Sequence, residues 1–163
     1  MQHVLPSSNI DFLKSLIGLK IVKVCRQLFK DDMKGENYEQ IADGPIELVF
    51  NNGNVTSFYS WLESESVCMS NTKMKQYGDS YIYKNLTDNS FWKQRVNRTI
   101  TEVTLIKSIY ASKENALEFA VKFEFENDIK ACVEYINEGN FPDTLRVIEH
   151  NEETKCTKTV LSN

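Results

Sequence analysis

The sequence predicts an α+β fold dominated by antiparallel β-sheet, built as a single domain, and three observations predict it. The first is an internal repeat in which a helical turn precedes a strand and a hairpin. The second is the alternation of apolar and polar residues in both hairpins, which turns one face of each strand toward a core. The third is that 163 residues with 41% hydrophobic side chains can bury a core without disulfides or metals.

The repeat aligns residues 12–24 with residues 91–103 without a gap, at a separation of 79 positions. Most apolar positions match, and Gly18 meets Asn97. Gly and Asn most readily adopt the left-handed backbone that commonly ends a helix. Each copy therefore predicts a helical turn, a left-handed stop and a strand, and we interpret the pair as a duplicated segment.

A hairpin follows the strand in each half. Ile46 to Phe50 alternate and lead into Asn52-Gly53, a pair typical of tight hairpin turns. Val121 to Phe125 alternate in the same way and lead into Asn127-Asp128. The sequence thus predicts the same helix–strand–hairpin unit twice.

Two such units, covering about residues 9–62 and 88–137, are expected to bury their apolar faces against each other. A pseudo-twofold axis would relate them, and the result would be a sheet, a roll or a sandwich. A final strand is predicted near residues 144–148. The tail, residues 151–163, has no periodicity and is predicted to lack regular structure.

Charge and composition argue against several classes of protein. With 19 basic and 23 acidic side chains the net charge is −4, which disfavours binding to nucleic acid. The chain has neither a secretory leader pattern nor an apolar run long enough to span a membrane, so we expect a cytoplasmic location. Four cysteines lie far apart without metal-binding spacing and predict buried thiols.

The residues offer little material for catalysis. His3 and His150 are the only imidazoles, and the six glycines are isolated, so neither a histidine-based triad nor a phosphate-binding loop is expected. The sequence therefore predicts a protein that is not an enzyme and that needs no cofactor. A pair of carboxylates from distant parts of the chain is left open as an alternative.

Two short patterns carry a resemblance. Gly18, Ile21 and Val24 form a G-x-x-I-x-x-V strand, and Ile46 to Gly53 form an I-x-L-x-F-x-N-G hairpin. Together they resemble small bacterial toxin-immunity proteins and uncharacterised duplicated β-sheet proteins, over the two repeat cores. The resemblance implies an antitoxin-like protein that occludes the active site of a partner toxin. An acidic surface would suit a basic nuclease domain, because complementary charge speeds encounter.

The candidate contact residues are carboxylates in polar connections, with two aromatic anchors. They are Asp31, Asp32, Glu36, Glu39, Glu63, Glu65, Trp61 and Tyr77. In the alternative interpretation, these side chains only keep the protein soluble.

A second hypothesis is a module that binds a small ligand inside the curved sheet. Its pocket would be lined by Phe50, Phe58, Phe123 and Phe125, although an ordinary core would need the same side chains. Pairing of exposed sheet edges into a homodimer is also left open.

Overall fold

The computed structural model describes residues 3–34, 38–108, 118–149 and 156–162, and this part of the chain forms two antiparallel sheets. The predicted α+β class dominated by β-strands is confirmed. The helix α1 spans Ile10–Ser15, and short 3₁₀ segments lie at Pro6–Asn9, Lys30–Lys34, Leu62–Ser64 and Trp92–Gln94. The strands are β1 (Ile21–Phe29), β2 (Ile41–Ala42), β3 (Ile46–Phe50), β4 (Val55–Trp61), β5 (Ser66–Ser70), β6 (Tyr81–Asn85), β7 (Ile100–Ser108), β8 (Glu118–Phe125), β9 (Lys130–Glu138), β10 (Phe141–Ile148) and β11 (Cys156–Leu161).

The first sheet has the strand order β5-β4-β3-β1-β6, and the second has the order β11-β7-β8-β9-β10-β2. By sequence β2 belongs to the first half, yet it pairs with β10 at the edge of the second sheet, with Ala42 opposite Leu145. The connection from β1 to β3 therefore crosses from one sheet to the other and back.

The two sheets face each other across a shared core. Phe50 and Phe58 reach it from the first sheet, and Phe123 and Phe125 reach it from the second. The rings of Phe58 and Phe123 meet edge to face, with their centroids 6.2 Å apart. These four rings are buried in the core between the sheets, and a ligand pocket lined by them stays a prediction.

The two halves of the molecule have matching strand orders. In each sheet a long strand lies between an edge strand and a hairpin, so that β6-β1-β3-β4-β5 corresponds to β11-β7-β8-β9-β10. The pairing with the edge strand matches as well. Phe29 of β1 lies opposite Tyr81, the first residue of β6, and the corresponding Ser108 of β7 lies opposite Cys156, the first residue of β11. Common descent of the halves by duplication stays a prediction.

The predicted left-handed stops are confirmed, with φ of 91° at Gly18 and 64° at Asn97. They also join the halves. The N–H of Gly18 donates to the carbonyl of Ile100, and the N–H of Asn97 donates to the carbonyl of Ile21, both at 2.8 Å. The two stops thus form reciprocal contacts at the end of the molecule where the long strands begin.

The C-terminal tail corrects one expectation. Residues 156–161 form β11 and pair with β7, although the tail was predicted to lack regular structure. Leu161 is buried against the core, and the hydrogen bonds of β11 come from a strand some fifty residues earlier in the chain. Such non-local pairing leaves little periodic pattern in a short edge strand. The predicted strand near 144–148 lies within the longer β10.

Within the described ranges, no helix has the length and apolar character needed to cross a membrane.

Candidate partner-binding surface

At one end of the sandwich, carboxylates and tyrosines gather from connections that are distant in sequence. The contributing segments follow β1, β2 and β4, precede β6, and join β9 to β10. We call this surface the acidic end. Its residues are Asp31, Asp32, Asp43, Glu63, Glu65, Tyr77, Tyr81 and Asp143.

Asp43 is held at the acidic end by the backbone on either side of it. Gly44 packs so closely against β1 that a Cβ there would lie 1.8 Å from the carbonyl oxygen of Gln27. The hydroxyl of Tyr81 donates to Asp43 Oδ2 at 2.6 Å. Burial raises the pKa of Tyr81 above its ordinary value, and this hydrogen bond and the charge of Asp43 raise it further. Tyr81 therefore keeps its proton and acts as a hydrogen-bond donor.

Asp143 approaches the same place from the other sheet. It has a positive φ of 47°, where the register of β10 against β9 is interrupted. Burial raises the pKa of Asp143, and the negative charge of Asp43 raises it further, while a hydrogen bond with Ser60 lowers it. Burial also raises the pKa of Asp32, and the negative charges of Asp43 and Asp31 raise it further. These carboxylates repel one another across the end of the sandwich.

Two carboxylate oxygens at the acidic end lack a partner. Asp43 Oδ1 and Asp143 Oδ1 are both buried, and neither accepts a hydrogen bond from the described residues. A carboxylate offers acceptor positions only, and these are best filled by the N–H groups of lysine or arginine. The arrangement is therefore suited to receive a cationic group from outside.

Exposed apolar side chains border these carboxylates. Tyr77 is 48% exposed and rests edge-on against Tyr81, with ring centroids 5.0 Å apart. Its backbone N–H donates to Gln27 Oε1 at 2.6 Å, which fixes the segment that carries it. Leu62 and Phe141 are exposed beside the connections that carry Glu63 and Asp143. Large, well-held aromatic surface next to charge is typical of protein contact sites.

The structure brings together most of the residues predicted for the contact surface. Asp31, Asp32 and Tyr77 lie at the acidic end, and the exposed Glu63 and Glu65 follow β4 at the same end. Trp61 is half-buried and packs against a small apolar cluster on the outer face of the first sheet.

Glu39 is engaged in interactions within the chain. It pairs with Lys84 Nζ at 2.6 Å and accepts a hydrogen bond from Asn89 Nδ2 at 3.0 Å. Glu36 lies outside the described residues.

Sequence reasoning missed Asp43 and Asp143 as members of the surface. The available signal was the position of both aspartates in turns, beside Gly44 and after Pro142. That signal places them in loops without revealing that the two loops meet.

Cys25, Cys68 and Cys132 are buried, in agreement with the prediction for these positions. Burial raises the pKa of Cys68 to about 12, which disfavours the reactive thiolate. Within residues 3–34, 38–108, 118–149 and 156–162, no group of three or more His, Cys, Asp or Glu side chains is placed to hold a metal ion.

No protein-family model, curated protein or solved structure matches the chain.

Proposed function

We propose that this chain is a non-catalytic bacterial binding protein of the immunity or antitoxin kind. It acts in the cytoplasm, where its acidic end covers the functional surface of a basic toxin domain. The observation that carries the proposal is the pair of buried oxygens, Asp43 Oδ1 and Asp143 Oδ1, that lack a donor among the described residues.

Charge supports a basic partner. Burial raises the pKa values of Asp32 and Asp143, and the charge of Asp43 raises them further, so the isolated protein holds repelling negative charges at this surface. A lysine or arginine from the partner would relieve this repulsion and donate to the unpartnered oxygens. Complementary charge of this kind also speeds encounter and fixes orientation.

The tyrosines favour binding over acid–base catalysis. A general base must lose its proton near neutral pH, whereas burial and the adjacent Asp43 raise the pKa of Tyr81. Tyr77 and Tyr81 instead provide rigid aromatic area beside the carboxylates, which is how interface anchors contribute to affinity.

The test uses the protein encoded by the adjacent reading frame, with its toxic activity inactivated by mutation. Asp43→Asn and Asp143→Asn should each weaken its binding about tenfold, or about 1.4 kcal/mol. The protection that each variant gives to cells against the active toxin should decrease together with its binding affinity. Binding is measured by titration calorimetry with purified proteins.

Glu126→Gln is the matched control, since it removes one exposed charge from the turn at the opposite end of the sandwich. It should leave the affinity unchanged. Equal losses in all three variants would contradict the proposed surface. Absence of any complex or protection would contradict the proposed function.

A further inference from the structure

A cleft that shares no residue with the acidic end lies between the segment Trp92–Gln94 and the β2–β10 edge of the second sheet. Its volume is about 530 Å³. Pockets for small molecules have volumes of roughly 300–1,000 Å³. The residues that matter for its chemistry are Gln40, Ile41, Phe91, Arg95, Val147 and Glu149.

Arg95 supplies a fixed positive charge to the cleft. Its Nε donates to the carbonyl of Lys130 at 2.7 Å, and its Nη1 donates to the carbonyl of Phe91 at 2.6 Å. The guanidinium also lies 3.6 Å from the centroid of the Phe91 ring. Although Arg95 is only 3% exposed, its Nη2 lies 3.6 Å from Glu149 Oε2 and donates no hydrogen bond within the described part of the chain. The Nη2 group therefore has N–H donors available for an acceptor on a ligand.

Gln40 provides a second, independent indication of a ligand. Its backbone carbonyl accepts a hydrogen bond from the N–H of Val147 at 2.8 Å, which fixes its position beside β10. Its side-chain Oε1 is buried and accepts no hydrogen bond from the residues that the structure describes. A ligand that fills the cleft should therefore bring a donor as well as an acceptor.

The remaining walls narrow the chemical class of the ligand. Ile41 and Val147 present apolar surface, which favours an apolar group. Glu149 lies at the rim with its side chain 56% exposed, so its carboxylate disfavours a ligand with two negative charges and favours one that also carries a cation. A carboxylate, an ammonium and an apolar group occur together in an α-amino acid.

We propose that this cleft binds a free α-amino acid with an apolar side chain. Its carboxylate accepts from Arg95 Nη2, and its ammonium lies between Gln40 Oε1 and Glu149. The side chain packs on Ile41 and Val147.

The proposal is tested by calorimetric titration of the full chain with L-leucine, isocaproate and isoamylamine. Isocaproate lacks the ammonium group, and isoamylamine lacks the carboxylate. L-leucine should bind at least about tenfold more tightly than either analogue, as expected when one buried charge-assisted contact is lost. Equal affinity for L-leucine and isocaproate, or no heat and no thermal shift with any of the three, would overturn the proposal.

Variants separate binding from folding. Arg95→Leu should abolish L-leucine binding, and if it fails to fold, Gln40→Met and Glu149→Gln decide the matter. Each should weaken binding about tenfold. Gln40→Met should leave the melting temperature of the free protein unchanged or higher, because it removes no side-chain hydrogen bond seen within the described residues. Glu149→Gln removes the exposed partner of the 3.6 Å ion pair with Arg95 and should lower the melting temperature by no more than about 4 °C. Lys93→Gln is the control, since it removes an exposed charge from the same segment. A loss with Lys93→Gln equal to that with Glu149→Gln would refute the assigned site.

Discussion

The two halves of the molecule share one strand order, and they differ in the position at which each half buries an arginine. At the end of the first helical segment the buried residue is Leu16, and 79 positions later it is Arg95. In the long strands the exchange is reversed, since Arg26 of β1 corresponds to Leu105 of β7. Each arginine lies where its half departs from the shared arrangement. Arg95 creates the polar cleft, and Arg26 holds the connection that leaves the first sheet.

Arg26 explains why β2 can lie on the second sheet. Its Nη2 donates to the carbonyl of Ala42 at 2.7 Å and to that of Leu145 at 2.6 Å, on the two strands that pair there. Its Nη1 and Nε reach the carbonyls of Glu39 and Gly44. Complete burial lowers the pKa of Arg26 to about 9, while the nearby charge of Asp43 opposes this shift. A buried polar side chain that occurs in only one of two similar halves can thus indicate where an additional strand, here β2, attaches.

The largest expected effect comes from giving β1 the residue of its counterpart. Arg26→Leu leaves several buried carbonyls without a donor, and each such group costs about 1–3 kcal/mol. We expect the free energy of unfolding to fall by at least about 3 kcal/mol. The measurement is equilibrium denaturation in urea.

Arg98→Leu provides the control, because Arg98 is exposed and lies in the helical stop of the second half. Its effect should stay within about 0.5 kcal/mol. If Arg26→Leu proves as mild as this control, Arg26 does not hold the crossing.

An intermediate effect is expected at the two helix stops. Gly18→Ala should lower the free energy of unfolding by about 1 kcal/mol or more, because alanine disfavours a φ of 91°. A Cβ at Gly18 would meet nothing within 4 Å, so the loss comes from the backbone alone. Gly18→Asn, which copies Asn97, should lose less than Gly18→Ala. The same denaturation measurement ranks the variants, and equal losses for Ala and Asn would contradict the equivalence of the two stops.

The smallest effect concerns the pH dependence of stability at the acidic end. Asp32 and Asp143 have pKa values raised above 3.8, so in the folded state they bind protons that the unfolded chain has already released. Their contribution therefore stabilises the fold as the pH falls from neutral through these raised pKa values. Asp32 is exposed and Asp143 is half-buried, so we expect a contribution of less than about 1 kcal/mol.

Asp143→Asn isolates this contribution, since asparagine tolerates the positive φ and cannot titrate. The stability difference between Asp143→Asn and the natural protein should be largest at neutral pH, favour the variant, and shrink on acidification. Glu126→Gln, which removes an exposed carboxylate at the opposite end, is the control. A variant that is less stable at neutral pH would indicate that the ionised Asp143 supports the fold.

Local patterns predicted the strands and stops because their causes are local. Alternation in Ile46 to Phe50 indicates one apolar face, and Gly18 and Asn97, each at the end of a helical turn, favour the left-handed backbone that ends it. The acidic end could not be predicted in this way, because Asp43 and Asp143 meet only through the pairing of β2 with β10. A two-residue strand such as β2 carries no periodicity. For the cleft, the mismatch of Arg95 with Leu16 was visible in the repeat, although it gave no indication of Gln40 opposite.

The reciprocal bonds between Gly18 and Ile100 and between Asn97 and Ile21 have a consequence for biosynthesis. When the first sheet leaves the ribosome, the backbone groups at its helix stop have no partner, and its apolar face has no cover. Both are satisfied only when β7 has been synthesised, which at roughly 5–20 residues per second happens several seconds later. During that interval the nascent protein exposes an uncovered apolar sheet face, so holding chaperones should associate with it until translation has passed β8.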